Sequence, residues 1–134
     1  MPRKKRQHKP EYSLHVFRHF DERVRKDLQV FLVQTTKEFT SFNYEILLDV
    51  AVQDRAIHLK ILGLQTTSLL MPSVGPARGR RDFTDLAGSY VLKIKKLDGE
   101  MNEFQLDVSP SKLDIKGAPA SPFITASDKP VALQ

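Results

Sequence analysis

The chain has 134 residues, 40% of them apolar and 28% charged, with a formal net charge of +5 and neither Cys nor Trp. A chain of this length buries roughly two-thirds of the surface its unfolded form exposes, so one domain with its own core is expected without disulfides or metal. The lack of cysteine excludes a disulfide scaffold, thiol catalysis, thiolate zinc sites and cysteine-ligated iron–sulfur clusters, and no apolar run reaches the length of a bilayer span.

The charge is unevenly placed. Residues 1–10 carry Arg3, Lys4, Lys5, Arg6 and Lys9 and no carboxylate. Setting these apart from the 21 Lys and Arg leaves 16, balanced by 16 Asp and Glu in the rest of the chain. The first ten residues therefore read as a disordered basic arm on an electrically neutral domain. Such an arm suits nucleic-acid phosphates, an anionic membrane surface or an acidic protein, and its plainest use is as a solvated tail. Glu11-Tyr12-Ser13-Leu14-His15 follows it in place of the apolar run of a secretory signal. Together with the absence of cysteine, this favours a cytoplasmic location.

Residues 12–20 fit either a strand or the start of a helix. Asp21 then resembles a helix N-cap, and Val24, Leu28, Phe31, Leu32, Thr35 and Phe39 fall on one helical stripe, which predicts a helix at about 21–39. Its rival is a strand over 28–36, rich in β-branched residues. Next, Phe42, Tyr44, Ile46, Leu48, Val50 and Val52 alternate with more polar residues, and Ile57, Leu59 and Ile61 continue the same face. A two-residue turn at Asp54-Arg55 predicts a hairpin pairing Val52 with Ile57, Val50 with Leu59, Leu48 with Ile61, Asp49 with Lys60 and Leu47 with Leu62. Leu47, Leu62 and Leu64 then form an apolar patch on the outer face, to be covered by the helix or by a partner subunit.

Residues 66–88, with their prolines and glycines, read as a long loop with a short helical turn at 83–87. The loop carries Arg78, Arg80 and Arg81 beside Phe83, a set that can grip phosphate and stack a base, or else pair locally with Asp82 and Asp85. A second hairpin is expected around Asp98-Gly99, pairing Ile94 with Phe104, Leu92 with Leu106 and Lys95 with Glu103 across a three-residue loop or bulge. Lys93, Lys95 and Lys96 face Glu100, Glu103 and Asp107 as an ordinary solvent face. A short edge strand over 112–116 follows, and 117–134 reads as a flexible Pro-containing tail. Within that tail Phe123-Ile124 and Val131–Leu133 either pack on their own domain or dock on a partner.

Chemistry-bearing constellations are sparse. His15, His19 and Glu22 would share a face only on an unbroken helix, which Asp21 interrupts. On a strand the two histidines stand about 13 Å apart, too far for one ion, so no metal site and no cofactor is expected. His58 has no nucleophile placed beside it, and no nucleophile elbow, phosphate loop or dinucleotide fingerprint occurs, so catalysis is not expected.

The reading is an α+β, mainly β domain over 11–116: an antiparallel sheet or small β-sandwich or barrel built from two hairpins, with one covering helix. Its expected function is that of a non-catalytic binding or assembly module whose arm, aided by the arginine loop, contacts a polyanion such as RNA in a ribonucleoprotein. The alternative is a protein–protein or homo-oligomerising domain that uses the leucine patch.

Overall fold

The computed structural model describes residues 10–40, 44–66 and 74–133. Nine strands are formed among these residues, and no helix: β1 (Tyr12–Asp21), β2 (Lys26–Phe39), β3 (Tyr44–Gln53), β4 (Ala56–Thr66), β5 (Gly75–Phe83), β6 (Gly88–Lys96), β7 (Met101–Val108), β8 (Leu113–Lys116) and β9 (Ile124–Ser127). They make one sheet in the order β8-β7-β6-β4-β3-β5-β2-β1-β9. Its end strands approach one another, so the sheet curls into a nearly closed, barrel-like form.

The helix expected at 21–39 is absent. That segment is the end of β1, a turn at 22–25 and the whole of β2, paired antiparallel from Asp21↔Lys26 to Tyr12↔Thr35. Two local signals mimic a helix. Asp21 Oδ1 accepts a hydrogen bond from the Arg23 amide at 2.9 Å, the same side-chain chemistry that an N-cap uses, but here it tightens a turn. Residues Leu28–Val33 are buried without interruption because β2 is covered on both faces. A strand of that kind has no period of its own and matches a helical stripe as readily as any other.

The first hairpin forms as expected from Val52↔Ile57 to Leu48↔Ile61, around Asp54-Arg55. A bulge between Leu47 and Leu48 then sets Leu47 opposite Gly63 instead of Leu62. The second hairpin has the expected three-residue loop, closed by Lys96 N–H to the Glu100 carbonyl at 2.9 Å and Gly99 N–H to the Lys96 carbonyl at 3.0 Å. Its register lies two residues from the expected one: Leu92 pairs with Phe104, Tyr90 with Leu106, Lys93 with Glu103 and Ile94 with Asn102. A two-residue shift keeps each side chain on its face, so the apolar pattern alone does not distinguish the two registers.

The sheet is mixed, not antiparallel throughout. β4 runs parallel to β6, β1 to β9, and β3 touches β5 in parallel at Glu45↔Arg78. Residues 75–83, expected as loop, are a strand held antiparallel to β2 from Gln29↔Phe83 to Gln34↔Arg78. Its Gly-Pro-Ala-Arg-Gly sequence has poor strand propensity, but small side chains are what the site requires. A Cβ on Gly79 would stand 2.5 Å from the Ile46 carbonyl oxygen of β3. Residues 84–87 are a bend and coil, not a helical turn. The last segment, expected as a loose tail, contributes β9, with Phe123 and Ile124 buried.

Leu14, Val16, Phe31, Val33, Ile57, Leu59, Leu92, Ile94 and Leu106 fill the interior of the barrel. A second cluster of Phe17, Leu28, Val30 and Leu32 lies on the other face of β1 and β2, with Val131 and Leu133 packed on it. Polar side chains trim both ends of the barrel. Gln29 binds both backbone groups of Leu86, and the Arg18 guanidinium donates to the Ser109 carbonyl. Asn102, 4% exposed, accepts from the Phe123 amide at 2.9 Å and donates to the Ser121 carbonyl at 3.2 Å, fastening the β9 segment to the barrel.

Candidate polyanion-binding surfaces

Arg3, Lys4, Lys5, Arg6 and Lys9 lie outside the described residues. The point at which they join the barrel is well tied. The Glu11 amide donates to the Phe123 carbonyl at 2.8 Å, its carbonyl accepts from the Thr36 amide at 3.0 Å, and the Thr36 hydroxyl donates to the Pro10 carbonyl at 2.9 Å. The Glu11 carboxylate also meets Lys96 Nζ at 2.5 Å.

Lys96 is set apart from the neighbouring lysines by its surroundings. Its side chain is only 16% exposed, sits 4.9 Å from the centre of the Phe123 ring and also reaches Glu100 Oε1 at 3.1 Å. Burial pulls the ammonium pKa down, but the hydrogen bonds and charges of Glu11 and Glu100 outweigh this and raise it well above the ordinary lysine value. Burial, reinforced by the charge of Glu11, raises the pKa of the neighbouring Tyr12 hydroxyl. Lys96 is thus a cation committed to joining the β6–β7 turn, β1 and the segment before β9. Sequence reasoning placed it on an ordinary charged face, because only the closure of the barrel brings Glu11 and Phe123 to it.

The three arginines of the expected loop stand on β5, and each already has a partner. Arg78 donates through Nε to Gln34 Oε1 at 3.0 Å and through Nη1 to the Ala132 carbonyl at 3.1 Å. Arg80 pairs with Asp82 Oδ1 at 2.8 Å, and Arg81 donates to the Leu48 carbonyl at 3.2 Å. Strand alternation sends Arg78 and Arg80 to one face and Arg81 to the other, so they do not form a single grip. The Phe83 ring is engaged edge-on with Phe31, 5.4 Å between centres, rather than presented for stacking.

Leu62 and Leu64 are 38% and 41% exposed, while Leu47 is half-buried. The bulge divides this patch. Leu64 is opposite Ile46, whose side chain is in the core, and so turns away from the outer face that Leu47 and Leu62 share. On the outer face of β4 and β6, His58 neighbours Lys93 and Lys60 neighbours Lys95, with Asp49 and Glu103 across from Lys60 and Lys93. His15 and His19 project from one face of β1, and no group of three His, Cys, Asp or Glu among the described residues is placed to hold a metal ion.

An open groove of about 490 Å³ runs between β7 and residues 118–121, bordered by Asn102 and Pro119. No family model, no curated protein and no solved structure matches the chain. No helix among the described residues is long and apolar enough to cross a membrane.

Proposed function

We propose that this protein is a non-catalytic binding module of the cytoplasm whose basic N-terminal arm contacts a polyanion, RNA within a ribonucleoprotein. The observation that carries the reading is the separation of charge. All five cations of residues 1–10 are without a carboxylate in that stretch, and the other 124 residues are balanced. Charge neutralisation of this kind yields affinity with little sequence preference. The Pro10–Glu11 anchor on Thr36 and Phe123 supports the same view, since it ties the base of the arm to the end of the barrel. Arg78, Arg80 and Arg81 have a secondary role in this reading, because binding phosphate would draw them from their present partners.

Binding to a generic single-stranded RNA, measured at several salt concentrations for the full chain and for a chain lacking residues 1–9, tests the proposal. That deletion keeps Pro10 and Glu11 in place. Five arm cations neutralising five phosphates predict a log–log salt slope of about −3.5, collapsing towards zero in the deletion. Equal affinity and equal slope for the two chains would remove the reading. The exposure of Leu62, on the outer face it shares with Leu47, favours a second reading, a self-associating β domain, for which Leu62→Glu would split the assembly without unfolding it.

A further inference from the structure

We infer that the outer face of β4 and β6 is a second contact for the RNA that the arm holds, with Lys60, Lys93 and Lys95 meeting its backbone phosphates. The ligand rests on the arm reading above; the place rests on how the strands pair.

The face is made by two strands from different hairpins. β4 and β6 run parallel and in register, with His58 beside Lys93 and Lys60 beside Lys95. Ile57, Leu59, Leu92 and Ile94 alternate with these residues and are buried in the barrel, so the polar four project outward. Neighbouring strands lie about 4.8 Å apart and alternate residues about 6.6 Å apart, which sets the three lysines and His58 at the corners of a small rectangle. Lys60, Lys95 and His58 are exposed, and Lys93 is half-buried.

Folding alone gives no reason for this grouping. Like charges directly opposite on neighbouring strands work against a sheet, and Lys60 and Lys95 are such a pair. The compensation at hand is not taken up. Asp49 is across from Lys60 and Glu103 from Lys93, whereas Lys95 is across from Met101. The ion pairs among the described residues fall to Arg80, Lys96 and Lys116, and none includes Lys60, Lys93 or Lys95. The β5 arginines each hold a partner, whereas these lysines take a phosphate without giving one up.

Position relative to the arm argues for the same ligand. Lys96, the next residue of β6 after Lys95, reaches Glu11 Oε1 at 2.5 Å, and residues 1–9 join the barrel at the adjoining Pro10. The root of the arm therefore lies close to the end of β6 that carries Lys95. An RNA strand held by the five arm cations is kept at high local concentration over three further cations, which by themselves bind it only weakly.

Salt-dependent binding of a single-stranded oligouridylate to the full chain tests this, with two triple variants of equal charge. One carries Lys60→Gln, Lys93→Gln and Lys95→Gln. The other carries Lys26→Gln, Lys112→Gln and Lys129→Gln, exposed lysines that lie on neither β4 nor β6. Five arm and three face cations predict a log–log slope of about −5.6 for the parent chain and for the second variant. The first variant should fall back to about −3.5, the arm's own value, and bind about tenfold more weakly at low salt. Circular dichroism checks that the barrel is retained in both. A first variant with the parent's slope and affinity would overturn the inference. So would equal losses in the two variants, which would trace the effect to net charge and not to place. Loss of binding to phosphatidylserine vesicles with RNA binding intact would also overturn it, and would assign the face to a membrane. The arm reading fails on a different result, a chain lacking residues 1–9 that binds RNA as the parent does.

Discussion

The carboxamide of Gln29 is hydrogen-bonded to both backbone groups of Leu86: Nε2 donates to its carbonyl at 2.9 Å, and Oε1 accepts from its amide at 3.0 Å. One side chain on β2 thus does for the 84–87 segment what a neighbouring strand would do, 57 residues away in sequence. Gln29 is only 3% exposed and Leu86 only 6%, so neither partner has water as a ready substitute.

Gln29→Leu should therefore destabilise the fold by about 2–4 kcal/mol, because it strands a buried donor and a buried acceptor at about 1–3 kcal/mol each, partly offset by the added apolar side chain. Urea unfolding gives the value. A loss below about 1 kcal/mol would mean that Leu86 finds other partners.

Two glycines separate crowding from backbone angle. Gly79→Ala drives a methyl group to 2.5 Å from the Ile46 carbonyl oxygen, a backbone atom that cannot swing aside. It should cost at least the upper part of the ~1–3 kcal/mol range for overpacking and loosen the β3–β5 contact. Gly99→Ala meets nothing within 4 Å, but places a side chain at φ +95°, so only the backbone penalty of about 1–2 kcal/mol is expected. Thermal unfolding of both variants should rank Gly79→Ala as the worse.

The pH dependence has a definite sign at two positions. Hydrogen bonds from Ser89 and Gln105 lower the pKa of the Asp107 carboxyl, so its contribution is complete above the ordinary aspartate value and is lost as the pH falls through the lowered one. Asp107→Asn should be less stable than the parent at pH 7, with the gap closing below about pH 4. Lys96 has a net raised pKa, so its contribution is complete below the ordinary lysine value and fades only in strong alkali. The gap between parent and Lys96→Met should stay flat from about pH 6 to 9. Chemical denaturation across these ranges checks both.

Period-two alternation was sufficient to place the residue pairs of the first hairpin over 48–61, because a two-residue turn leaves one register that buries a complete apolar face, whereas the bulge that sets Leu47 opposite Gly63 left no mark in the pattern. The same pattern in the second hairpin left the register open by two residues, and pairing the apolar Ile94 with Phe104 hid the buried polar residue that the fold uses there, Asn102. β2 was misread because Asp21 caps a turn as it would cap a helix, and because a strand buried on both faces loses its alternation. β5 was hidden behind glycine, proline and arginine, residues that local propensity assigns to loops.

The candidate site divides along the same line. The concentration of cations in residues 1–10 is a property of composition and needs no fold to be recognised. Arg80 pairs locally with Asp82, as its neighbourhood in the sequence allowed, whereas the partners of Arg78, Arg81 and Lys96 are distant in sequence. Arg78 meets Gln34 and Ala132, Arg81 meets the Leu48 carbonyl, and Lys96 meets Glu11 and Phe123. Sequence by itself determined the β-rich class, the hairpin turns and the charge asymmetry, since these follow from side-chain alternation, turn chemistry and counting. Tertiary structure alone decided the mixed strand order, the near closure of the barrel and the packing of Val131 and Leu133 over Val30 and Leu32, because each rests on contacts between segments whose meeting no local pattern encodes.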